Sequence, residues 1–287
     1  MNKFYIQIAL FLLSIFAYAN NETLATEPAP EENTTPESKD RYATSEEIYE
    51  QNKHLLCTNP EETINAGKLM NEAVKHLEYH AKCKNGFELC GNVFINNTLY
   101  YKKKRQNHTD ILKVNFKICP SNQYNDIINM LWDPNGPNFF NRGTAKIDRV
   151  YNPNLVIMQQ RYKKSCMFRQ KYFYALATKA QISEDTTIIV MTSANINDHN
   201  PSDKEYKNTI IESANLFKTE IDSEDDIRKG KLKKVFVNIA GYLIQKKGWY
   251  IDITYLESID GYTSIIPRWL NGNPSTGLFS HVYLPPP

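Results

Sequence analysis

Few side chains in this sequence have the spacing that chemistry needs. His76 and His80 stand four apart in "KHLEYH", which on a helix puts both imidazoles on one face, a geometry able to chelate a metal ion. No third ligand accompanies them, and the glutamate of an H-E-x-x-H motif is missing, so two histidines on a helix surface is the stronger reading. Five cysteines, at 57, 83, 90, 119 and 166, include no C-x-x-C pair, which argues against a zinc ribbon or a thioredoxin-type centre. Their spacing selects no disulfide pairing, and the odd number leaves at least one thiol over. The acidic run "DSEDD" at 222–226 reads as a solvated loop. There is no G-x-S-x-G elbow, P-loop or dinucleotide-binding glycine run. Nothing here supports covalent or redox chemistry, so the expectation is a protein that is not an enzyme and takes no cofactor and no metal.

What remains is tyrosine and glutamine set into apolar strands, a chemistry suited to holding an amphiphile. The chain has 287 residues and a formal net charge of +2, which forecasts no nucleic-acid partner. Its basic runs "YYKKKR" (100–105) and "RKGKLKK" (228–234) suit solvated turns and strand ends, with transient contact to an anionic membrane surface as the second reading. At the front, Lys3, the 13-residue apolar run "FYIQIALFLLSIF" and "AYA" make a signal peptide over 1–19, too short to span a bilayer. Residues 20–45 are rich in Glu, Thr, Pro and Asn and form a flexible leader. A single folded domain is expected over 46–271, followed by an irregular tail at 272–287. Sequons at Asn21, Asn33, Asn96 and Asn107 are weak signals in so Asn-rich a chain.

Two helices are legible. Asn59 caps a start with Pro60, Glu61 and Glu62 in the first turn, and Ile64, Leu69, Met70, Ala73, Val74 and Leu77 fall on one side. A shorter helix over 123–132 turns Ile127, Ile128, Leu131 and Trp132 inward and stops at "DPNGPN". Most other segments alternate with period two: 93–103, 111–118, 145–151, 155–163, 171–180, 186–194, 211–221, 233–245 and 249–258. "SEDT" and "QKKG" provide hairpin turns. Sequential strands without βαβ units predict an α+β fold built on one curved antiparallel sheet.

The order of these segments resembles the START lipid-transfer domain. The likeness runs from about residue 60 to 271, through "IINMLWDPNGPNFFN", "RQKYFYALATK", "DTTIIVMTSAN", "KVFVNIAGYLI", "IDITYLESID" and "IPRWL". The leader, "HLLCTNPEETINAGKLMNEAVKHLEYHA" and "SANINDHNPSDKEYKN" resemble the fam-a group of secreted malaria-parasite proteins. The resemblance implies a helix-grip fold whose sheet bends around a C-terminal helix and encloses one lipid. It also implies phosphatidylcholine transfer, passage through the ER, and a destination in the parasitophorous vacuole or the host red cell. No Arg-x-Leu-x-Glu-type export motif occurs in residues 20–60.

Period two then assigns the wall of that tunnel. Arg161 turned to water directs Val156, Met158, Gln160 and Tyr162 inward. Lys179 outside directs Tyr172, Tyr174 and Leu176 inward, and Asp252 outside does the same for Ile251, Ile253 and Tyr255. Tyr162, Tyr172 and Tyr174 would form a choline cage by cation–π attraction. The lid is the weak point, because "NGNPSTGLFSHVYLPPP" after Leu270 is rich in helix breakers. An irregular lid or another chain could cover the opening; an end that departs from the working gene product is favoured, leaving the C-terminal lid helix missing or replaced. The alternative function is an exported or surface interaction module that keeps the fold and meets a host-cell protein.

Overall fold

The computed structural model describes residues 41–93, 98–106, 108–136, 143–164, 168–201 and 206–261. The signal peptide, most of the leader, Cys166, "IPRWL" and the tail after it lie outside the described residues.

Described structure begins ahead of the expected domain edge at 46. Helix α1 (Ser45–Gln51) is closed by a capping box in which the Thr44 hydroxyl accepts from the Glu47 amide and the Glu47 carboxylate accepts from the Thr44 amide. The capping box makes Thr44 and Ser45, the last two residues of the expected leader, part of the fold. Helix α2 (Pro60–Lys82) starts at the Asn59 cap as its sequence dictates. Its buried stripe is Ala66, Leu69, Met70, Ala73, Val74, Leu77, His80 and Ala81. Ile64 is off that stripe and 57% exposed, a correction to the expected apolar face. Helix α3 (Tyr124–Trp132) buries Ile127, Ile128, Met130 and Trp132, while Leu131 is half-buried.

The strands are β1 (Glu88–Val93), β2 (Thr98–Lys103), β3 (Ile111–Ile118), β4 (Gly143–Asn152), β5 (Leu155–Tyr162), β6 (Lys171–Ser183), β7 (Thr186–Thr192), β8 (Asn195–Asn197), β9 (Lys218–Glu220), β10 (Lys233–Lys234), β11 (Phe236–Lys247) and β12 (Tyr250–Asp260). The main sheet runs β1-β2-β3-β12-β11-β7-β6-β5-β4 and every neighbour along it is antiparallel. Two short parallel pairings depart from the antiparallel rule, β10 with β6 and β8 with β9. The strand expected over 211–221 is instead a 3-10 turn (Glu212–Asn215) followed by the three-residue β9. Its apolar residues Ile211, Ala214, Phe217 and Ile221 anchor an excursion in the core rather than a ladder. Bulges in the β4–β5, β6–β7 and β11–β12 pairings bend the long strands.

Both faces of the sheet are buried. On one, α2 packs across β6, β7, β11 and β12, and the excursion between β7 and β11 completes the cover. The other receives α1 and α3, whose Ile48, Ile127, Ile128 and Trp132 pack with Val114, Phe116, Ile244, Ile251 and Ile253. A strand buried on both sides loses polar alternation, and β6 shows it: Tyr172 through Ala177 are buried without a break.

Candidate functional site

The register decides which of the sequence-predicted residues meet. Val156, Met158 and Gln160 lie opposite Ala177, Ala175 and Phe173, on the face away from α2. Tyr162 joins Phe173 on that face, ring centroids 5.9 Å apart. Tyr255 and Ile253 lie opposite Tyr242 and Ile244, and Ile251 packs with them. Seven candidates, Val156, Met158, Gln160, Tyr162, Ile251, Ile253 and Tyr255, thus share one face.

Tyr172, Tyr174 and Leu176 do not. They lie opposite Arg161, Gln159 and Ile157, on the α2 face. The choline cage of Tyr162, Tyr172 and Tyr174 is therefore not assembled. The Tyr172 hydroxyl donates to Asp198 Oδ2 at 2.9 Å, and Gln159 Nε2 donates to the Tyr174 hydroxyl at 2.6 Å. Both rings hold the excursion against the sheet. Lys179 misled the period-two reading: it lies opposite Ile189 on the face away from α2, half-buried, where burial lowers its pKa against the pull of Glu46. One lysine near a strand end is a poor guide when a helix cap sits over it.

The face that collects the seven also holds residues the sequence reading passed over. Tyr242 stacks obliquely on Tyr255 with centroids 5.0 Å apart, and the Tyr255 hydroxyl donates to Glu257 Oε2 at 2.8 Å. Glu257 is 3% exposed. Burial pushes the Tyr255 phenol up strongly, and the charges of Glu257 add to it; Tyr242 is raised by the same two causes. Tyr162 acts on Tyr255 through space as well, a smaller effect than burial and Glu257. Around them are small or apolar side chains, Ala175, Ala240, Val237 and Ile259. The signal was available. Continuing the alternation of Ile251, Ile253 and Tyr255 by one step reaches Glu257, a carboxylate on a buried face.

The acidic run 222–226 is a correction of another kind. Helix α4 (Asp225–Arg228) starts inside it, and Arg161 forms a two-pronged pair with Asp226 at 2.6 and 2.9 Å. Glu224 accepts from Gln159 at 2.7 Å and pairs with Arg161 at 3.0 Å and with Lys146. Glu224 and Asp226 thus clamp the α2 face, while Asp222 and Asp225 stay exposed as the sequence reading expected. Burial opposes the Glu224 charge, but the bonds from Lys146 and Gln159 outweigh it and hold the carboxyl down to about 2. A depressed acid stabilises the fold above its ordinary value of 4.5 and loses that contribution as pH falls toward about 2. Urea titrations of wild type and Glu224→Gln should therefore differ most at pH 7, with the gap narrowing steadily as pH falls from about 4.5 toward 2. An unchanged gap between them would contradict the clamp.

Cys57, Cys83, Cys90 and Cys119 are free thiols. Among the described residues there is no cluster of three His, Cys, Asp or Glu side chains able to hold a metal, and no helix long and apolar enough to cross a membrane.

An open antiparallel sheet with both faces buried and a polar knot within one of them defines the class. Comparison with known proteins places it further. No family model and no curated protein matches the sequence. Among solved structures, human StAR-related lipid transfer protein 5 aligns with a TM-score of 0.51 at 12% identity, covering 77% of this chain and 95% of that one. Human STARD10 aligns at 0.45 and 14% identity, covering 69% and 70%. A fragment of the STAR-related lipid transfer protein from Xanthomonas axonopodis aligns at 0.43 and 10% identity, covering 69% and 99%. The first alignment establishes a START-like helix-grip fold for this chain, α+β as the strand order predicted.

Proposed function

We propose that this protein binds and transfers a single phospholipid, held on the sheet face away from α2, without covalent chemistry. The observation that carries the reading is the composition of that face. It is a largely apolar face, partly covered by α1 and α3, that also carries Gln160, Tyr162, Tyr242, Tyr255, Glu257 and the half-buried Lys179. A diacyl lipid has on the order of 30 methylenes, each worth about 0.8 kcal/mol when kept from water, so its carrier needs an apolar wall with a few polar groups for the head. The START-like fold supports the same reading, since the aligned human protein is a lipid transfer protein by name.

The polar knot favours a cationic headgroup. Aromatic faces attract a quaternary ammonium, and a buried carboxyl beside them can ionise against an arriving cation and so add to that attraction. Phosphatidylcholine has that headgroup and is the ligand we assign. Entry into the secretory route through the signal peptide at 1–19, membership of the fam-a group and brief contact with a membrane surface during exchange complete the proposal; they rest on the sequence.

The test is a fluorescent phosphatidylcholine transfer assay between donor and acceptor vesicles. Transfer that scales with protein concentration is expected. No transfer, together with a stable protein partner in pull-downs, would replace the carrier with an interaction module of the same fold.

A further inference from the structure

On the α2 face, away from the proposed lipid site, a pocket of about 400 Å³ lies between the last turns of α2 and the segment that follows β2. Its charged lining comes from Lys75, His76 and His80 of the helix and from Lys103 and Arg105 of the "YYKKKR" run. Alternation sorts that run. Lys102 pairs with Asp110 at 2.7 Å and Lys104 reaches Glu88 at 3.8 Å, while Lys103 and Arg105 turn into the pocket. No carboxylate lines it. Among the described residues neither Lys75 nor Lys103 forms an ion pair with an acid.

Two buried polar atoms there are without hydrogen-bond partners, His80 Nδ1 and Arg105 Nη1. His80 is 9% exposed. The Arg105 guanidinium is held by its other nitrogen, which donates to the Thr209 carbonyl at 2.8 Å and to its hydroxyl at 3.0 Å. An orphaned guanidinium nitrogen and two lysines without ion pairs leave this lining rich in donors, while the buried His80 imidazole, neutral because burial lowers its pKa to about 4, adds no charge.

We propose that this pocket binds a phosphate group, either as free phosphate or as the monoester headgroup of an acidic lipid. The cationic surroundings disfavour the metal that His76 and His80 suggest by spacing, and no third ligand joins them among the described residues. Burial lowers the His80 pKa to about 4, and Lys103, His76, Arg105 and Lys113 reinforce it, a field that repels a cation and attracts an anion. Three features oppose the anion, one of them Asp110, which accepts from the Arg105 amide at 3.1 Å but is paired with Lys102. The C-terminus of α2 contributes roughly half a negative charge, and Glu72 stands 3.6 Å from His76. With Asp110 paired, Lys75, Lys103 and Arg105 outnumber the rest.

The experiment uses the purified chain in phosphate-free buffer. Calorimetric titration with inorganic phosphate is compared with chloride at matched ionic strength. Sedimentation with vesicles of phosphatidylcholine plus phosphatidic acid is compared with phosphatidylcholine alone. Saturable phosphate binding assigns a free ligand; binding only to the acidic vesicles assigns a headgroup; both support the site. Lys103→Gln and Arg105→Gln should each weaken the interaction by about tenfold or more. Lys103 makes no hydrogen bond to a described residue, so its variant carries the test if Arg105→Gln does not fold. Bound phosphate should also raise the His80 titration above about 4 in a nuclear magnetic resonance pH series. Absence of binding in both arms, or binding unmoved by Lys103→Gln and Arg105→Gln, overturns the proposal.

Discussion

Gly241→Ala should leave little folded protein. Gly241 sits in the middle of β11 with φ at 154°, in register between Val190 of β7 and Leu256 of β12. A methyl group added there would lie 2.1 Å from the Ile189 carbonyl oxygen, 2.8 Å from Val190 Cα and 2.9 Å from Leu77 Cδ1. The first two are backbone of the adjacent strand and the third is a fully buried side chain of α2. None of the three moves without parting strands or lifting the helix. Overpacking a core typically costs 1–3 kcal/mol; with β7 backbone on one side and the buried Leu77 on another, about 4 kcal/mol or more is expected. Against a typical stability of roughly 5–15 kcal/mol, that is a large share. Urea denaturation of the soluble fraction measures it. A variant within about 1 kcal/mol of wild type would mean that α2 does not seat on this strand as described.

The second large effect concerns Glu257. Glu257→Gln keeps the shape of the side chain and its capacity to accept from the Tyr255 hydroxyl, but removes the charge. In the proposed carrier, affinity for a choline lipid should fall by about tenfold or more, while binding of a neutral lipid of the same chain length changes little. Folding should not suffer, because a buried carboxylate is expensive to desolvate and its amide is not. Competition between the two lipids for wild type and variant separates these outcomes. Equal losses for both lipids would mean that Glu257 supports the fold rather than the headgroup.

Much of this was legible in the amino-acid order, and the failures share a cause. The Asn59 cap, the two hairpin turns and the exact span of β3 follow from local chemistry, since a cap or a turn is decided by a few adjacent residues. On β5 and β12 the candidates do share one face, opposite Arg161 and Asp252, although Ile157 and Gln159 on the Arg161 side are as buried as Val156 and Met158. Arg161 nevertheless left water for Asp226 and Glu224. For β6 the pattern had nothing to read. Helix α2 and the excursion bury one side and the opposite sheet face buries the other, so Tyr172 and Phe173 are equally hidden. Non-local cover decided the matter, and α1, for which the sequence reading named no helix, supplied part of it. The phosphate pocket shows the converse: the basic run looked like solvated charge until the fold set Lys103 and Arg105 beside His80.

Native mass spectrometry of the purified mature chain addresses the carrier account most directly. A bound species with the mass of one diacyl phospholipid, displaced stoichiometrically by added phosphatidylcholine, is the predicted result. A chain that flies at its bare mass, and stays bare after incubation with phosphatidylcholine vesicles, would contradict it.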